Sequence, residues 1–140
     1  METKSKLWIG RIFIGAVLMM NIQSALVFFI DPARYAPAYE LIGIPGEAAI
    51  RGYGVLFLMW NVPYVVALIH PLKNRISLYE AIAMQTIGLL GESFIYFQLP
   101  PVHSILGSSI LRFVIFDGGG LILLILAGWF SREKNQLLMS

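Results

Sequence analysis

The stretch LGSSILRFVIFDGGGLILLILAGWF, residues 106–130, decides the fold, because it is long and apolar enough to cross a membrane yet carries Arg112 and Asp117. An α-helix rises about 1.5 Å per residue, so roughly 20 apolar residues cross the hydrocarbon core of a bilayer. A charge facing lipid near mid-membrane costs at least about 2.5–3.5 kcal/mol, so both side chains are expected to face inward. The stretch therefore predicts one helix of a membrane bundle with a polar interior.

Three earlier stretches of similar length are also apolar, and each carries at least one charge. Together with the last stretch they predict an all-α, integral membrane, antiparallel four-helix bundle. The predicted spans are residues 7–30, 48–70, 76–99 and 106–130. The chain of 140 residues is 58% hydrophobic and 13% charged, which is typical of a membrane protein. We expect residues 1–140 to form a single domain.

Residues 31–47 form the longest predicted loop. The loop contains three prolines and the apolar cluster of Leu41, Ile42 and Ile44. A loop of this length with its own apolar patch more often packs on the surface than links helices freely. We therefore expect it to cap one mouth of the bundle.

The distribution of basic residues predicts the orientation, since lysine and arginine accumulate on the cytoplasmic side of a membrane. One face carries Lys4, Lys6, Lys73, Arg75, Arg132 and Lys134. The loops of the other face offer only Arg34. This pattern predicts that both termini are cytoplasmic, in a bacterial cytoplasmic membrane. Aromatic belts are predicted at both faces, with Trp8, Trp129 and Phe130 at one and Tyr35, Tyr39, Tyr96 and Phe97 at the other.

The intramembrane charges predict two ion pairs. Glu92 and Arg112 both lie roughly 10 Å from the same face, on helices joined by a short loop. Arg11 and Glu80 lie at similar depths near the other face. Asp117 has no arginine at its own depth, so its candidate partners are Arg112 and several amide side chains, namely Asn21, Gln23, Asn61 and Gln85.

A polar site is predicted in the middle third of the membrane. Asn61 and Gln85 lie there with Asp117, beside the helix-breaking Pro63 and the glycines at 118–120. Glycines in membrane helices permit close approach of a neighbouring helix or ligand. The candidate ligand-binding residues are Asn61, Gln85, Glu92, Tyr96, Arg112 and Asp117.

Several classes of site are excluded or disfavoured by the residue types. The chain has no cysteine, which excludes disulfides and thiolate sites. His70 and His103 fall at opposite faces, so no metal site is predicted. The net charge of +2 is too small and scattered to indicate nucleic-acid binding. No cofactor is identified by these residues.

The first helix carries the sequence RIFIG at residues 11–15, a polar residue at Asn21 and the exit pair Asp31 and Pro32. In these features and in its overall layout the chain resembles the DoxX-like superfamily of four-helix membrane proteins. The resemblance implies an integral membrane accessory or small-molecule protein, often associated with redox enzymes.

These observations leave several functions open. The first hypothesis is a protein that binds a small amphiphilic molecule, such as a quinone, lipid or isoprenoid, with an accessory role in a redox complex left open. The second is an intramembrane acid–base enzyme with Asp117 or Glu92 as the catalytic candidate. The third is a structural or assembly subunit of a membrane complex. Membrane lipids, a membrane protein partner or a second copy of the chain are the expected partners.

Overall fold

A computed structural model describes residues 2–131, with side chains from residue 5 onward, and this part of the chain is helical without a β-strand. Its elements are α1 (Glu2–Ile30), α2 (Pro32–Tyr35), a 3₁₀ turn (Ala36–Tyr39), α3 (Gly43–Trp60), α4 (Val62–Ile69), α5 (Arg75–Gln98) and α6 (Ser104–Phe130).

The all-α prediction is confirmed for the described residues, and so are three of the four predicted spans in length and composition. The segments Ser5–Ile30, Gly43–Ile69 and Ser104–Phe130 are helical, long and apolar enough to cross a membrane. The remaining predicted span, residues 76–99, corresponds to α5. This helix has 24 residues but is not among the three candidate membrane spans. Its polar residues include Glu80, Gln85 and Glu92.

The second apolar stretch is broken at Asn61, which divides it into α3 and α4. Pro63 cannot donate a backbone hydrogen bond, and the Asn61 N–H turns back to the Leu58 carbonyl at 3.2 Å. This tighter turn releases the Phe57 carbonyl, which accepts a 2.6 Å hydrogen bond from Asn61 Nδ2 instead. The Asn61 side chain thus satisfies one of the backbone groups that the break leaves free.

The break separates two halves of the molecule that pack differently. We call the half around α4 and residues 70–74 the basic half, and the half around α3 and residues 31–42 the cap half. In the basic half, α4 packs against both α1 and α5. In the cap half, α3 packs against α1 and α2 and makes no comparable contact with α5. Helix α6 packs against α1 and α5.

The basic half contains a closely packed apolar core. Its buried members are Ile14, Val17, Leu18, Tyr64, Ala67, Leu78, Ala81, Leu124 and Ala127. Small residues such as alanine let helices in a membrane approach closely. This close packing matters because apolar lipid leaves no hydrophobic driving force for helices to associate.

The cap, residues 31–42, packs on an aromatic cluster centred on Phe28. The Phe28 ring lies 5.2 Å from Tyr35, 5.8 Å from Tyr39, 5.9 Å from Phe57 and 6.1 Å from Phe113, measured between ring centroids. Tyr35 and Tyr39 therefore pack inward, unlike the belt residues that the sequence suggested, because the cap folds back over the helices.

The start of α1, the end of α6 and the basic turn at residues 70–74 lie at the same end of the molecule. Gly10 packs against Ala127 and Ser131, and Leu78 at the start of α5 contacts Gly128. Of the basic residues assigned to this face, Arg132 and Lys134 lie outside the described residues. Trp8 and Trp129 are exposed here, at 60% and 62%.

Candidate ligand-binding site

A polar network crosses three helices in the middle of the molecule. Tyr64 on α4 donates a 2.5 Å hydrogen bond to Gln85 Oε1, and its hydroxyl also lies 3.2 Å from the Ala81 carbonyl. Gln85 on α5 donates from Nε2 to Asp117 Oδ1 on α6 at 2.9 Å. Tyr64 and Gln85 are buried, at 0% and 2% exposure. Among the candidate partners of Asp117, the amide of Gln85 forms a hydrogen bond with its carboxylate, and Arg112 forms no ion pair with it.

Two glycines make room for this polar network. A Cβ atom at Gly120 would lie 2.7 Å from Gln85 Nε2, and one at Gly88 would collide with Asp117 Oδ2. Gly119, by contrast, has nothing within 4 Å of such a Cβ. The glycines flanking the network are therefore required by the amide and the carboxylate that they face.

A cavity of about 190 Å³ adjoins the network. We call it the polar cavity. It is lined by Asn21, Ser24, Phe57, Trp60, Asn61, Met84, Gln85, Gly88, Glu92, Phe113, Phe116 and Asp117. Aromatic rings form much of its wall, and a few amides and carboxylates supply its polar groups, which is the usual composition of a small-molecule site.

Two hydrogen-bond acceptors at this cavity are unused. Asn61 is 3% exposed, and its Oδ1 atom is buried without a hydrogen-bond partner. Asp117 accepts through Oδ1, while its Oδ2 accepts no hydrogen bond from the described residues. A buried acceptor without a donor costs about 1–3 kcal/mol, so the cavity favours a molecule that donates hydrogen bonds.

Four of the six predicted ligand-binding residues meet at the polar cavity. They are Asn61, Gln85, Glu92 and Asp117. Tyr96 does not line it, because its ring packs against Phe97 at a centroid distance of 5.7 Å.

Arg112, the sixth predicted residue, lines a neighbouring cavity of about 220 Å³ beneath the cap. We call it the cap cavity. Its wall also includes Tyr35, Tyr39 and Ser109, and it shares Phe113 and Phe116 with the polar cavity. The Ser109 hydroxyl donates to the Ala38 carbonyl at 2.6 Å and ties the cap to α6.

Neither predicted ion pair forms among the described residues. Glu92 lines the polar cavity whereas Arg112 lines the cap cavity, and no ion pair joins them.

Arg11 does not reach Glu80 either, because α1 and α5 are not packed against each other in the basic half. The Arg11 guanidinium instead lies 4.7 Å from the Trp8 ring centroid, and its Nε atom is buried without a partner. Glu80 is exposed.

Tyr39 lies in the electric field of both separated charges. Burial raises the pKa of its phenol, the Glu92 carboxylate raises it further, and the Arg112 guanidinium opposes this effect. The hydroxyl therefore stays protonated and can act as a donor at the cap cavity.

A contact that the sequence did not reveal fastens the cap. Glu40 Oε2 lies 2.5 Å from His103 Nδ1, and Glu40 Oε1 accepts from the Leu106 N–H at 3.3 Å. The hydrogen bond from His103 is the main cause that lowers the pKa of the Glu40 carboxyl. Sixty-three residues separate the two side chains, so no local pattern could have indicated the pair.

The chain matches no protein-family model, curated protein or solved structure at a significant level. Within residues 2–131, no three histidine or carboxylate side chains come together as metal ligands. The polar cavity and its unused acceptors are therefore the features that bear on function.

Proposed function

We propose that this chain is an integral membrane protein that binds the headgroup of a small amphiphilic molecule in the polar cavity. The quinone, lipid and isoprenoid classes all supply such a headgroup on an apolar body. The observation that carries the proposal is the polar cavity itself, whose lining includes Asn61, with its buried and unpartnered Oδ1, and Asp117, whose Oδ2 accepts no hydrogen bond from the described residues.

Three candidate spans support the membrane location. Helix α5 completes a four-helix bundle in this proposal, since its polar residues Gln85 and Glu92 line the cavity. Its exposed side chains are largely apolar and include Ile87, Leu90 and Phe94, each more than 60% exposed. Cytoplasmic termini and a bacterial cytoplasmic membrane stay predictions based on the basic residues.

The chemistry of the lining selects among headgroups. Asn61 Oδ1 and Asp117 Oδ2 are acceptors, so hydroxyl or amine groups on the ligand would be suitable donors. Trp60 and Phe116 offer aromatic faces to a ring. A cavity of about 150 Å³ can hold benzene, so the present volume suits one ring or a headgroup of similar size. A hydroxylated ring such as that of a quinol satisfies all three conditions.

The DoxX-like resemblance implies a small-molecule or redox-accessory role and stays a prediction. An acid–base enzyme and a structural subunit are the alternatives. No cation lines the polar cavity among the described residues, since Arg112 lies at the cap cavity. The enzyme hypothesis expects Arg112 or Arg51 to stabilise a developing negative charge, and neither lines the polar cavity.

Native mass spectrometry of the chain in nanodiscs tests the proposal. The unaltered chain, Asp117→Asn and the control Glu80→Gln are compared after gentle release of bound molecules. Asparagine keeps an acceptor for Gln85 but replaces Oδ2 with a donor, so the bundle should form while the ligand is lost. Glu80 is exposed on the same helix as Gln85, so its variant should retain the ligand.

Two results would count against this proposal. One is an unaltered chain that carries no small molecule, and a co-purifying protein in that case would favour the structural subunit. The other is equal retention by all three proteins, which would place the bound molecule elsewhere. Conversion of the released molecule by the unaltered chain alone would favour the enzyme.

A further inference from the structure

The polar cavity is too small to hold a whole amphiphile. Its volume is about 190 Å³, whereas sites that enclose drug-sized ligands measure about 300–1,000 Å³. A molecule whose headgroup reaches Asn61 and Asp117 must therefore extend its apolar part out of the cavity. The direction of that exit follows from where the surrounding helices fail to touch.

Helices α3 and α5 separate in the cap half. Beyond the break at Asn61, α4 packs against α5, but α3 makes no comparable contact with it. The polar cavity lies at the point of separation, since Phe57, Trp60 and Asn61 line it from one side and Met84, Gln85 and Gly88 from the other. The gap between α3 and α5 therefore adjoins the cavity, and we call it the lateral groove.

The α3 wall of this lateral groove is aromatic and aliphatic. Tyr53, Leu56 and Trp60 recur at helical spacing on one stripe of α3. Trp60 lines the polar cavity, and Tyr53 and Leu56 continue the stripe away from it at 43% and 55% exposure. These side chains lack a helix opposite them.

The α5 wall is unusually flat. Met84 and Gly88 line the polar cavity, and Gly91 and Ile95 continue their stripe at helical spacing. A Cβ atom at Gly91 would meet nothing within 4 Å, and Ile95 is 49% exposed. Gly91 leaves a notch that is open to the surroundings of the helices.

We propose that the lateral groove seats the hydrocarbon chain of the amphiphile whose headgroup occupies the polar cavity. This inference rests on the proposed function and adds the route by which the ligand reaches the site: entry from within the membrane, between α3 and α5. A hydrocarbon chain fits because the groove walls are apolar and because the groove meets the cavity at Trp60 and Gly88. The molecule therefore needs no passage through the cap.

Trp60 provides the probe for a test. Trp8→Phe and Trp129→Phe leave it as the sole tryptophan of the chain. This parent protein is stripped of bound small molecules in detergent, so that a lipid chain can take the place of the ligand's hydrocarbon chain. It is then placed in nanodiscs of phosphatidylcholine whose acyl chain is dibrominated near its middle, and Trp60 fluorescence is recorded. Gly91→Phe fills the groove without an initial clash, and Gly119→Phe is the matched control, since nothing lies within 4 Å of a Cβ atom at either glycine.

We expect the brominated chains to quench Trp60 in the parent and in Gly119→Phe, and Gly91→Phe to lose that quenching. Equal quenching in all three proteins would overturn the inference. An unquenched parent would also overturn it, and a dimer in native mass spectra would then assign the groove to a second copy. If Gly91→Phe does not fold by circular dichroism, Gly91→Leu takes its place.

The fluorescence reports on the hydrocarbon chain in the groove and not on the headgroup in the polar cavity. A negative result is therefore separable from failure of the proposed function. Loss of the ligand in Asp117→Asn with unchanged quenching in Gly91→Phe would retain the headgroup site and discard the groove. Lost quenching in Gly91→Phe together with equal ligand retention in Asp117→Asn would retain the groove and discard the headgroup site.

Discussion

The two halves of this molecule are built from the same helical stretches, yet one is closed and the other encloses cavities. In the basic half, α4 is held between α1 and α5, and alanines at the contacts let the helices approach. In the cap half, α3 follows α1 away from α5, and aromatic rings stand around the space that remains. The break at Asn61 produces this difference, because it lets one apolar stretch serve two packing partners. The polar side chains of Asn61, Gln85 and Asp117 lie at the point where α3 separates from α5.

The largest effect is expected in the closed half. Leu124→Ala removes a side chain that is 0% exposed in the apolar core and should lower the free energy of unfolding by about 2–5 kcal/mol. Ile122→Ala on the same helix is the control, since Ile122 is 61% exposed and should change little. Reversible unfolding in mixed detergent micelles measures both. Similar losses in the two variants would mean that the basic half is not closely packed.

The attachment of α3 to α1 in the cap half should be the next most sensitive feature. A Cβ atom at Gly54 would lie 2.8 Å from both the Ala25 carbonyl oxygen and the Phe29 nitrogen, which are backbone atoms. Gly54→Ala should therefore cost about 1–3 kcal/mol in the same unfolding measurement. Gly52→Ala meets nothing within 4 Å and should instead stabilise α3 by roughly 0.5–1 kcal/mol. Two variants of equal stability would refute the close approach.

The polar network joins the two halves, and its loss should cost less. Tyr64→Phe removes the donor to Gln85 Oε1 and should lower stability by about 1 kcal/mol, the usual scale for a hydrogen bond inside a membrane protein. Tyr79→Phe is the matched change at a residue that is 61% exposed. If Tyr64→Phe unfolds like the unaltered chain, the network does not stabilise the fold.

The smallest effect concerns the cap and depends on pH. The pKa of Glu40 is lowered from its ordinary value near 4.5, so its contribution is present above that value. The contribution is lost as the pH falls through the lowered pKa of the folded state. The Leu106 amide donates to Glu40, so its protection factor, which is hydrogen exchange relative to the intrinsic rate at each pH, should fall on acidification, and Glu40→Gln should remove that dependence. Glu47→Gln, at the start of α3, is the control and should keep it.

The sequence predicts the helices well because each apolar stretch carries its own signal. It also predicts that Asn61, Gln85 and Asp117 share a site, since depth along a membrane helix can be counted from its end. It also predicts an ion pair between Glu92 and Arg112 that does not form, because depth does not tell which way a side chain faces around the helix. Glu92 and Arg112 line different cavities, and such a difference depends on helix rotation.

The division into two halves could not be predicted from the same signals. Pro63 indicates a break, but the direction that α3 takes beyond it depends on the contact of Gly54 with α1. The pair of Glu40 and His103 depends on how the cap folds back over α6, which no periodic pattern encodes. Long-range contacts of this kind are set by packing, and the sequence alone leaves several packings open.

Single-cysteine accessibility tests the contrast between the halves most directly, because the unaltered chain has no cysteine. Ser24→Cys places a thiol where both cavities meet, and Ala67→Cys places one in the core of the basic half at a residue that is 0% exposed. Labelling by a small methanethiosulfonate reagent in nanodiscs should be rapid at position 24 and absent at position 67. Equal labelling of the two thiols, or labelling at position 67 alone, would contradict a cap half that holds a ligand cavity and a basic half that is closed.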